Sequence, residues 1–589
     1  MLHEPLLRFE QTNRHYERLL QVVDTPGRFF DQGLGVLGVT YEVSDEDRGR
    51  IPREGPLVTV SNHPYGGVDG LVLGSLLDHR RGDVKLLVNY LLGHIEPFRP
   101  HIIEVDPFAG EGAKRRNFGA MRESLRWLRE GHSLGLFPSG TVSHYHWRQR
   151  QITDPAWAAN LAGLIRRSGA TVVPVYFEGG NSRLFQLLGL LHPRLRTVLL
   201  AGEMMRGKER CIRLRVGSPI SPSRLQRFAS DEAMMGFLRL KTYILQNRSV
   251  AAKTSFRMSF RRRKPAAKEP LAPPVDPASM AAEVDALPVA QRLVESGDFL
   301  VCYARAEQIP QLLEEIGRLR EVTFRAVEEG TGFARDLDQF DRYYLHLFLW
   351  DARHRALAGA YRLGPTDEIL AARGPAGLYT TTLFHYRPGV LRGLGPALEL
   401  GRSFIVAEYQ RRHASLGLIW RGIGAFIAQH PRYRVLFGPV SISKEYQSLS
   451  KNLMVMYLKE HTLDPELATK VRARKPPRSR NLGRLDRSCF NESVRDIEDV
   501  SALISEIERE ERGVPVLLRQ YLKLNATMLS FNVDPEFNDC IDGLVLVDLA
   551  KTNEKTLRRY MGDVGAEAFY AYHETRRSER LAVEQTAEG

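Results

Sequence analysis

Short apolar runs alternate with amphipathic stretches over the first part of the chain, up to about residue 217. Amphipathic spacing over residues 118–130 and 156–167 predicts helices, and Asp231 and Glu232 favour a helix start at the beginning of residues 230–245. The apolar runs predict buried strands at residues 56–60, 133–137, 171–177, 195–200 and 212–216. This alternation is typical of an α/β fold, which we assign to residues 1–250 together with flanking helices.

A second α/β pattern begins near residue 298. Helices are predicted over residues 309–327 and 415–429, and residues 514–549 predict a helix followed by a terminal strand. Strands are predicted at residues 299–304, 345–351, 356–361, 378–384 and 433–438. Residues 251–294 are basic and then rich in proline and alanine, which predicts a linker without helix or sheet. We therefore assign a second domain to residues 295–575 and a tail to residues 576–589.

Composition narrows the class of protein. With 589 residues, of which 43% are hydrophobic and 26% charged, the chain is a folded protein of several domains. A mean hydropathy of −0.29 excludes a polytopic membrane protein, so we expect peripheral membrane contact. The four cysteines lie far apart without metal-ligand spacing, and the N-terminus lacks a signal-peptide core, which indicates a cytoplasmic protein without a bound metal. The net charge of +13 favours a polyanionic partner: nucleic acid, an anionic bilayer or an acidic carrier protein.

The first group of candidate catalytic residues follows the apolar strand at residues 56–60. The sequence SNHPYGGVDG places His63 and Asp69 on a glycine-rich turn. A histidine held by a carboxylate can take the proton of a hydroxyl group while that hydroxyl attacks an activated carbonyl. The alternative is that His63 and Asp69 only cap the helix that follows.

These residues resemble the first sequence block of the glycerolipid acyltransferases, and of their haemolysin-like bacterial branch in particular. The third block of that family is matched at residues 137–143 (FPSGTVS), and the fourth at residues 172–177 (VVPVYF). The resemblance implies that His63 is the general base and Asp69 its orienting group, with an acceptor site formed by Asn62, Pro138, Ser139, Gly140 and Thr141. Because the family's charged glutamate and arginine are replaced by Ser139 and Val142, we expect an acceptor without glycerol phosphate.

The second group of candidate residues lies in the second domain. Asp336 and Asp338 alternate on an extended segment and so point to one side, and Glu399 and Arg402 are spaced to pair at a strand end. A buried carboxylate held by arginines can receive an amine beside a thioester, and a plain salt-bridge network is the alternative.

The order of residues in this second group resembles the acyl-homoserine-lactone synthases and the N-acyltransferases of ornithine-lipid synthesis, which have a GNAT-like fold. The resemblance implies that Glu399 orients or deprotonates the amine. It also implies a surrounding site formed by Arg325, Asp338, Asp341, Arg362 and Arg402. The basic loop at residues 411–417 lacks the glycines of the usual pyrophosphate loop, which suits a donor on acyl carrier protein better than coenzyme A.

The two halves together resemble the bifunctional ornithine-lipid synthases. The resemblance implies that the second domain transfers a 3-hydroxyacyl group from acyl carrier protein to the amine of an amino acid, and that the first then acylates the 3-hydroxyl of the lyso-lipid. The resemblance also implies that no cofactor is bound and that the co-substrate is an acyl carrier protein thioester or acyl-CoA.

We expect contact with an anionic membrane surface on the inner face of the cell membrane, through residues 9–30 and 256–264, and no nucleic-acid partner, because no reader motif is present. Two other functions stay open. One is a lysophospholipid acyltransferase with a regulatory or vestigial second domain, and the other is a non-enzymatic membrane-binding protein.

Overall fold

A computed structural model describes residues 17, 28–94, 96–106, 111–146, 151–182, 185–186, 203, 210–248, 268–410, 414–477, 490–491, 494–508 and 512–587. The chain divides into two compact units. The first comprises Met1–Ala252 and Asn481–Gly513, and the second comprises Lys253–Arg480 and Val514–Gly589. The expected strand at residues 195–200 and the basic cluster at residues 256–264 lie outside the described residues.

The first unit contains a seven-stranded sheet in the order β1-β9-β8-β2-β5-β3-β4. Five neighbouring strands, β8, β2, β5, β3 and β4, run parallel, and β9 is antiparallel to β8. A hairpin, β6–β7, is separate from this sheet. The strands are β1 Val39–Glu42, β2 Leu57–Ser61, β3 Val84–Asn89, β4 Ile102–Val105, β5 Ser133–Leu136, β6 His144–His146, β7 Gln151–Thr153, β8 Thr171–Phe177 and β9 Arg210–Val216.

Helices cover this sheet, and every residue of β2 is buried. A helix begins at Asp231, as predicted. Ser230 caps it by accepting a hydrogen bond from the backbone N–H of Ala233. The helices of the first unit are Phe29–Leu37, Asp45–Gly49, Gly67–Arg80, Glu111–Arg129, Asn160–Ser168, Pro222–Gln226, Asp231–Ile244 and, from the later part of the chain, Ile497–Ile504.

The helix Ile497–Ile504 belongs to the first unit, although the sequence assigned residues 481–513 to the second domain. Asp499 on this helix accepts a hydrogen bond of 2.6 Å from Arg224. Just after the helix, the buried carboxylate of Glu506 accepts hydrogen bonds of 2.6 Å from both Lys241 and Arg248. Charge pairing between residues more than 250 positions apart therefore attaches this segment to the first unit.

The second unit contains an eight-stranded sheet in the order β10-β11-β12-β13-β15-β16-β19-β18. Its neighbours are antiparallel except β15 and β16, which run parallel and pair only over Ala397–Glu399 and Val435–Phe437. The strands of this unit are β10 Arg292–Ser296, β11 Phe299–Arg305, β12 Leu345–Asp351, β13 Ala356–Pro365, β14 Phe384–Tyr386, β15 Ala397–Ile405, β16 Val435–Ile442, β17 Val471–Ala473, β18 Thr527–Asp534 and β19 Cys540–Asp548.

Two local predictions for the second unit are wrong. Residues 378–384 are not a strand but contain the 3₁₀ turn Tyr379–Thr382, because Glu399 binds the backbone N–H groups there. The expected linker contains the helix Pro277–Asp285, which Asp276 caps through the backbone N–H of Ser279. Residues 576–587, which were assigned to a tail, belong to the helix Glu554–Ala587, which is kinked at Gly562.

The helices Pro310–Ala326 and Ala414–Gln429 pack against the sheet of the second unit, and Glu554–Ala587 packs against Ala414–Gln429. Both predicted long helices are present within a few residues of their expected ends. The helices are Pro277–Asp285, Pro310–Ala326, Thr366–Arg373, Val390–Gly393, Ala407–Gln410, Ala414–Gln429, Ser448–His461, Val516–Lys523 and Glu554–Ala587. The α/β fold class predicted for each half is confirmed.

Candidate active sites

The first candidate site lies at one edge of the first sheet. Strands β8, β2 and β5 are adjacent and parallel, so their carboxyl ends meet at this edge. The segments that follow β2 and β5 carry the residues 62–69 and 137–143 that the sequence singled out. Ligands of open α/β sheets commonly bind outside the carboxyl ends of the strands.

His63 and Asp69 come together at this edge. Nδ1 of His63 lies 3.0 Å from Oδ2 of Asp69, and that carboxylate is completely buried. The same Oδ2 accepts hydrogen bonds from the backbone N–H groups of Tyr65, at 2.8 Å, and Gly66, at 3.0 Å. Asp69 therefore caps the helix and also contacts the histidine, so both sequence interpretations describe the same carboxylate.

A glycine brings the histidine and the aspartate, which are six residues apart, into contact. Gly66 adopts a φ of +80° immediately before the helix Gly67–Arg80. This left-handed conformation favours glycine, and it turns the chain so that Asp69, in the first turn of the helix, faces back toward His63. The turn at Gly66 thus allows the dyad to form.

The electrostatics of the dyad suit proton transfer. Burial raises the pKa of Asp69, and the contact with His63 and the two backbone N–H groups oppose that rise. The side chain of His63 is about one-fifth exposed, at 19%. With Nδ1 directed at Asp69, the other ring nitrogen of His63 is left to take a proton from a bound hydroxyl group.

The third sequence block packs directly against the histidine. The ring centroids of Phe137 and His63 are 4.3 Å apart, and the backbone N–H of Ser143 donates to the carbonyl oxygen of His63 at 2.8 Å. Asp154, which the sequence did not reveal, accepts hydrogen bonds from the backbone N–H of His63, at 3.3 Å, and from the hydroxyl of Ser143, at 2.5 Å. These contacts fix the histidine and the third block relative to each other.

The remaining predicted residues of the first site are not all directed at a substrate. Gly140, with φ +62°, and Thr141 form an exposed loop tip in the block beside His63, and the hydroxyl of Ser139 donates to the carbonyl oxygen of Thr141. Pro138 is buried, and its carbonyl oxygen accepts from the backbone N–H of Ala158.

The amide of Asn62 is used within the fold. It donates to the carbonyl oxygen of Phe177 at 3.0 Å and accepts from the backbone N–H of Phe177 at 2.7 Å. Asn62 therefore joins the ends of β2 and β8, a structural use that the prediction of a substrate-binding group did not include.

The second candidate site contains a charge network in the second unit. Arg362, on β13, lies 2.7 Å from Asp338 and 3.3 Å from Asp341, and the buried Arg320 lies 3.1 Å from Asp341. Burial alone would raise the pKa of Asp341, but the two arginines hold it well below its usual range. The sequence analysis expected a buried carboxylate held by arginines, and Asp341 is that carboxylate.

Arg402 closes this network from β15. Its Nε atom lies 3.2 Å from Asp336, and its Nη2 atom lies 3.4 Å from Asp338. The prediction that Asp336 and Asp338 point to one side is confirmed, since both reach one guanidinium group. Arg402 adopts a φ of +51° where the pairing of β13 with β15 shifts register. Its guanidinium group binds Asp336 and Asp338 and does not contact the carboxylate of Glu399.

Glu399 has a different environment from the one expected. Its fully enclosed carboxylate accepts hydrogen bonds from the hydroxyl of Tyr344 and from the backbone N–H groups of Tyr379, at 3.0 Å, and Thr380, at 2.6 Å. The expected pairing of Glu399 with Arg402 is wrong, because these uncharged donors already surround the carboxylate. Burial raises the pKa of Glu399.

Arg325 is not part of the charge network. It binds Glu321 at 2.6 Å and the carbonyl oxygens of Glu269 and Phe333. Arg320, five residues earlier on the helix Pro310–Ala326, takes the place expected for Arg325. The buried positions 312, 316 and 320 follow helical spacing, and this periodicity was the sequence signal for Arg320.

Comparisons with known proteins identify the class to which both sites belong. Residues 9–252 match the family model described as an acyltransferase, and residues 319–420 match the one described as an acetyltransferase (GNAT) domain. The chain is therefore an acyltransferase with an N-terminal acyltransferase domain and a C-terminal GNAT domain, which confirms the fold class and the enzyme class predicted from sequence.

Similar proteins of known function assign the chain to a family within this class. A glycine N(alpha)-acyltransferase of Bacteroides thetaiotaomicron is 32% identical over 257 residues, and the match covers 41% of this chain and 74% of that protein. A glycine N(alpha)-acyltransferase of Phocaeicola vulgatus is 30% identical over 234 residues, and the match covers 38% of this chain and 71% of that protein. A lyso-glycine lipid O-acyltransferase of Phocaeicola vulgatus is 33% identical over 178 residues, 29% of this chain and 61% of that protein. The chain belongs to the family of the bacterial glycine N(alpha)-acyltransferases.

One further observation concerns membranes. Among the helices of the described part of the chain, none combines the length and the apolar character that crossing a bilayer requires.

Proposed function

We propose that this chain is a bifunctional acyltransferase that makes an acylated amino-acid lipid. In this proposal the second domain forms an amide between a 3-hydroxyacyl group and the amine of an amino acid. The first domain then forms an ester on the 3-hydroxyl group of that lyso-lipid. The observation that carries the proposal is that one chain matches both a glycine N(alpha)-acyltransferase and a lyso-glycine lipid O-acyltransferase, two relatives named for successive reactions.

In the O-acylation, His63 is the general base. Its free ring nitrogen takes the proton of the 3-hydroxyl group as that oxygen attacks the thioester carbonyl carbon. The carbon–sulfur bond then breaks, and the imidazolium returns the proton to the departing thiolate. Asp69, 3.0 Å from Nδ1, holds the ring and stabilises the imidazolium.

The uncharged third block supports an acceptor without phosphate. Ser139 and Thr141 bind each other beside His63, and the block provides neither the glutamate nor the arginine of the family pattern. An amide-linked lyso-lipid brings a hydroxyl group and an acyl chain but no phosphate, so it does not require those charges.

In the N-acylation, the free amine attacks the thioester carbonyl carbon, the carbon–sulfur bond breaks, and the departing thiolate takes up the proton that the amine nitrogen loses. Glu399 acts as a positioning residue in this step, because Tyr344, Tyr379 and Thr380 occupy its carboxylate. The network of Asp338, Asp341, Arg362 and Arg402 shapes the site. We propose acyl carrier protein as the donor, since its acidic surface suits a chain of net charge +13.

The protein would work at the inner face of the cell membrane, where its lipid product collects. The test is incubation of the purified chain with a 3-hydroxyacyl carrier protein thioester, a second acyl thioester and an amino acid, followed by mass spectrometry. Formation of the singly and then the doubly acylated amino acid supports the proposal. Acylation of lysophosphatidic acid with no acylation of any amino acid would favour the lysophospholipid acyltransferase instead.

A further inference from the structure

The outward face of the helix Glu111–Arg129, in the first unit, carries a row of basic side chains. Arg122, Arg126 and Arg129 are exposed, and Phe118 is 74% exposed on the same face. Since each helical residue advances by about 100°, these four side chains fall within roughly 80° of the helix circumference. They extend over about 16 Å along the helix axis. We call these four residues the basic stripe.

The positive charge of the basic stripe is not neutralised within the described part of the chain. The carboxylate of Glu123, beside the stripe, lies 3.0 Å from the ammonium group of Lys85, and none of the three arginines forms an ion pair there. Guanidinium groups in a row create a local positive potential, and their planar geometry matches that of carboxylates. The stripe therefore fits a partner that presents several acidic side chains together.

The other side of this helix is buried in the first unit. Ala120, Ser124 and Leu128 are almost completely buried, and Ala120 and Leu128 belong to the hydrophobic core. A helix that lies on a bilayer inserts an apolar face into it, whereas the apolar face of this helix packs against the core. Phe118 is the one exposed large apolar side chain among residues 117–129. The stripe thus matches the surface of an acidic protein better than a bilayer.

The basic stripe begins at the edge of the sheet that carries His63 and Asp69. Strands β2, β5, β3 and β4 run parallel, so the carboxyl ends of β2 and β4 lie at the same edge. The amide of Asn117 donates to the carbonyl oxygen of Asp106, just after β4, and accepts from its backbone N–H, both at 2.8 Å. Phe118, the next residue, therefore lies near this edge. Because β4 is three strands from β2, their ends are about 14 Å apart.

We propose that the basic stripe docks the acyl carrier protein that delivers the acyl group for the O-acylation. Acidic side chains of the carrier pair with Arg122, Arg126 and Arg129, and an apolar side chain of the carrier contacts Phe118. The phosphopantetheine arm, extended along the carboxyl edge of the sheet, spans the distance from β4 to His63. This inference rests on the proposed O-acylation and adds the surface of the first unit that receives its donor.

The first test is steady-state O-acylation of a supplied N-acylated lyso-lipid by the full-length protein, at varied concentrations of a palmitoyl thioester of acyl carrier protein. Arg122→Glu/Arg126→Glu should raise the KM for this thioester about ten-fold or more and leave kcat unchanged, because like charges then face the carrier. Phe118→Ser should raise the same KM by a smaller factor. The control Arg53→Glu/Arg167→Glu makes an equal change of charge at two exposed arginines that precede β2 and β8, and should leave this KM unchanged.

The N-acylation is an internal control on the same preparations, since it takes its carrier thioester at the second unit. The KM of the N-acylation for its 3-hydroxyacyl carrier thioester should be the same in Arg122→Glu/Arg126→Glu and the wild type. Acyl-CoA lacks the carrier's acidic surface, so O-acylation from acyl-CoA should also be equal in these two proteins. An unchanged KM for the carrier thioester in the O-acylation, or an equal rise in the KM of the N-acylation, would overturn the inference.

The second test distinguishes a carrier surface from a bilayer surface by sedimentation with phosphatidylglycerol vesicles. We expect the wild type and Arg122→Glu/Arg126→Glu to sediment with these vesicles to the same extent. Loss of sedimentation in the variant, together with an unchanged KM for the carrier thioester, would assign the stripe to an anionic bilayer and overturn the inference. Binding of acyl carrier protein that depends on Arg122 and Arg126, measured by biolayer interferometry, without O-acylation by the wild type, would uphold the stripe and refute the proposed O-acylation.

Discussion

The carboxylate of Glu506 lies 2.6 Å from the ammonium group of Lys241, and both side chains are almost completely buried in the first unit. Arg248 binds the other oxygen of the same carboxylate at 2.6 Å. These cations hold the pKa of Glu506 at about 2, well below its ordinary value, against the effect of burial. A residue from the later part of the chain thus neutralises charge inside the acyltransferase unit.

We therefore expect Glu506→Gln to destabilise the first unit strongly, by about 3–5 kcal/mol, because it leaves Lys241 buried without a counter-ion. The wild-type contribution is fully present above the ordinary glutamate pKa and is lost as the pH falls toward 2, since the folded state binds the proton less readily than the unfolded state. Urea unfolding at pH 7 and pH 3 measures both effects. The exposed Glu54→Gln is the control, and equal unfolding midpoints for the two variants would contradict this account.

The His63–Asp69 dyad makes a prediction for the first reaction site. Asp69→Asn should lower the rate of O-acylation about 10²–10⁴-fold, the usual effect of losing general-base catalysis, and should leave N-acylation unchanged. The first unit provides a matched control in His132, whose Nδ1 lies 3.4 Å from Asp83. These two residues precede β5 and β3, so they lie at the opposite edge of the sheet. His132→Ala should retain O-acylation, and comparable losses in both variants would refute the assignment of the dyad.

Glu399 provides a test of positioning against base catalysis. Glu399→Ala leaves the buried N–H groups of Tyr379 and Thr380 without an acceptor, and each unsatisfied group costs about 1–3 kcal/mol. We expect this variant to lose N-acylation and keep O-acylation of supplied lyso-lipid. Glu399→Gln retains a side-chain oxygen and should retain part of the N-acylation rate, with the exposed Glu460→Ala as the control.

If Glu399→Gln is as inactive as Glu399→Ala while both remain folded, Glu399 is the base rather than a positioning residue. Rates of both acylations, measured on the same protein preparations, make this comparison. Circular dichroism thermal scans establish that the variants are folded.

For Asp542 we predict a pH dependence of stability that is opposite in sign to that for Glu506. Burial raises its pKa to about 7, so the folded state keeps a proton that the unfolded state releases near pH 4. The free energy of unfolding should therefore decrease as the pH rises from about 4 to 7. Asp542→Asn should remove the part of this decrease that comes from Asp542. Urea midpoints at pH 4.5, 6 and 8 should show the variant gaining on the wild type as the pH increases. A constant difference across these pH values would contradict the prediction.

The sequence predicted those features that depend on local patterns. His63 and Asp69 are six residues apart and meet in the structure. Asp336 and Asp338 are two residues apart and reach one guanidinium group. Both pairs can therefore be recognised within a short stretch of sequence. The alternation of strands and helices likewise predicted the α/β class of both units. Helical spacing could have predicted that Arg320 is buried, but the family resemblance implied Arg325 as the site residue instead.

The features that the sequence did not reveal depend on distant pairing. Asp542 lies opposite Ser441, about a hundred residues away, because β19 pairs antiparallel with β16. Glu506 reaches Lys241 from a segment 265 positions further along the chain. No local pattern marks either residue as buried, because each carboxylate becomes buried only when the tertiary contacts form.

The central claim is that one chain carries out two successive acylations at separate sites, and His63→Ala tests it most directly. Purified wild-type protein, supplied with a 3-hydroxyacyl carrier protein thioester, a second acyl thioester and L-ornithine, should yield the doubly acylated amino acid by mass spectrometry. His63→Ala should accumulate the singly N-acylated lyso-lipid at an undiminished rate. Continued formation of the doubly acylated product by His63→Ala, or loss of both acylations in a folded variant, would contradict the account.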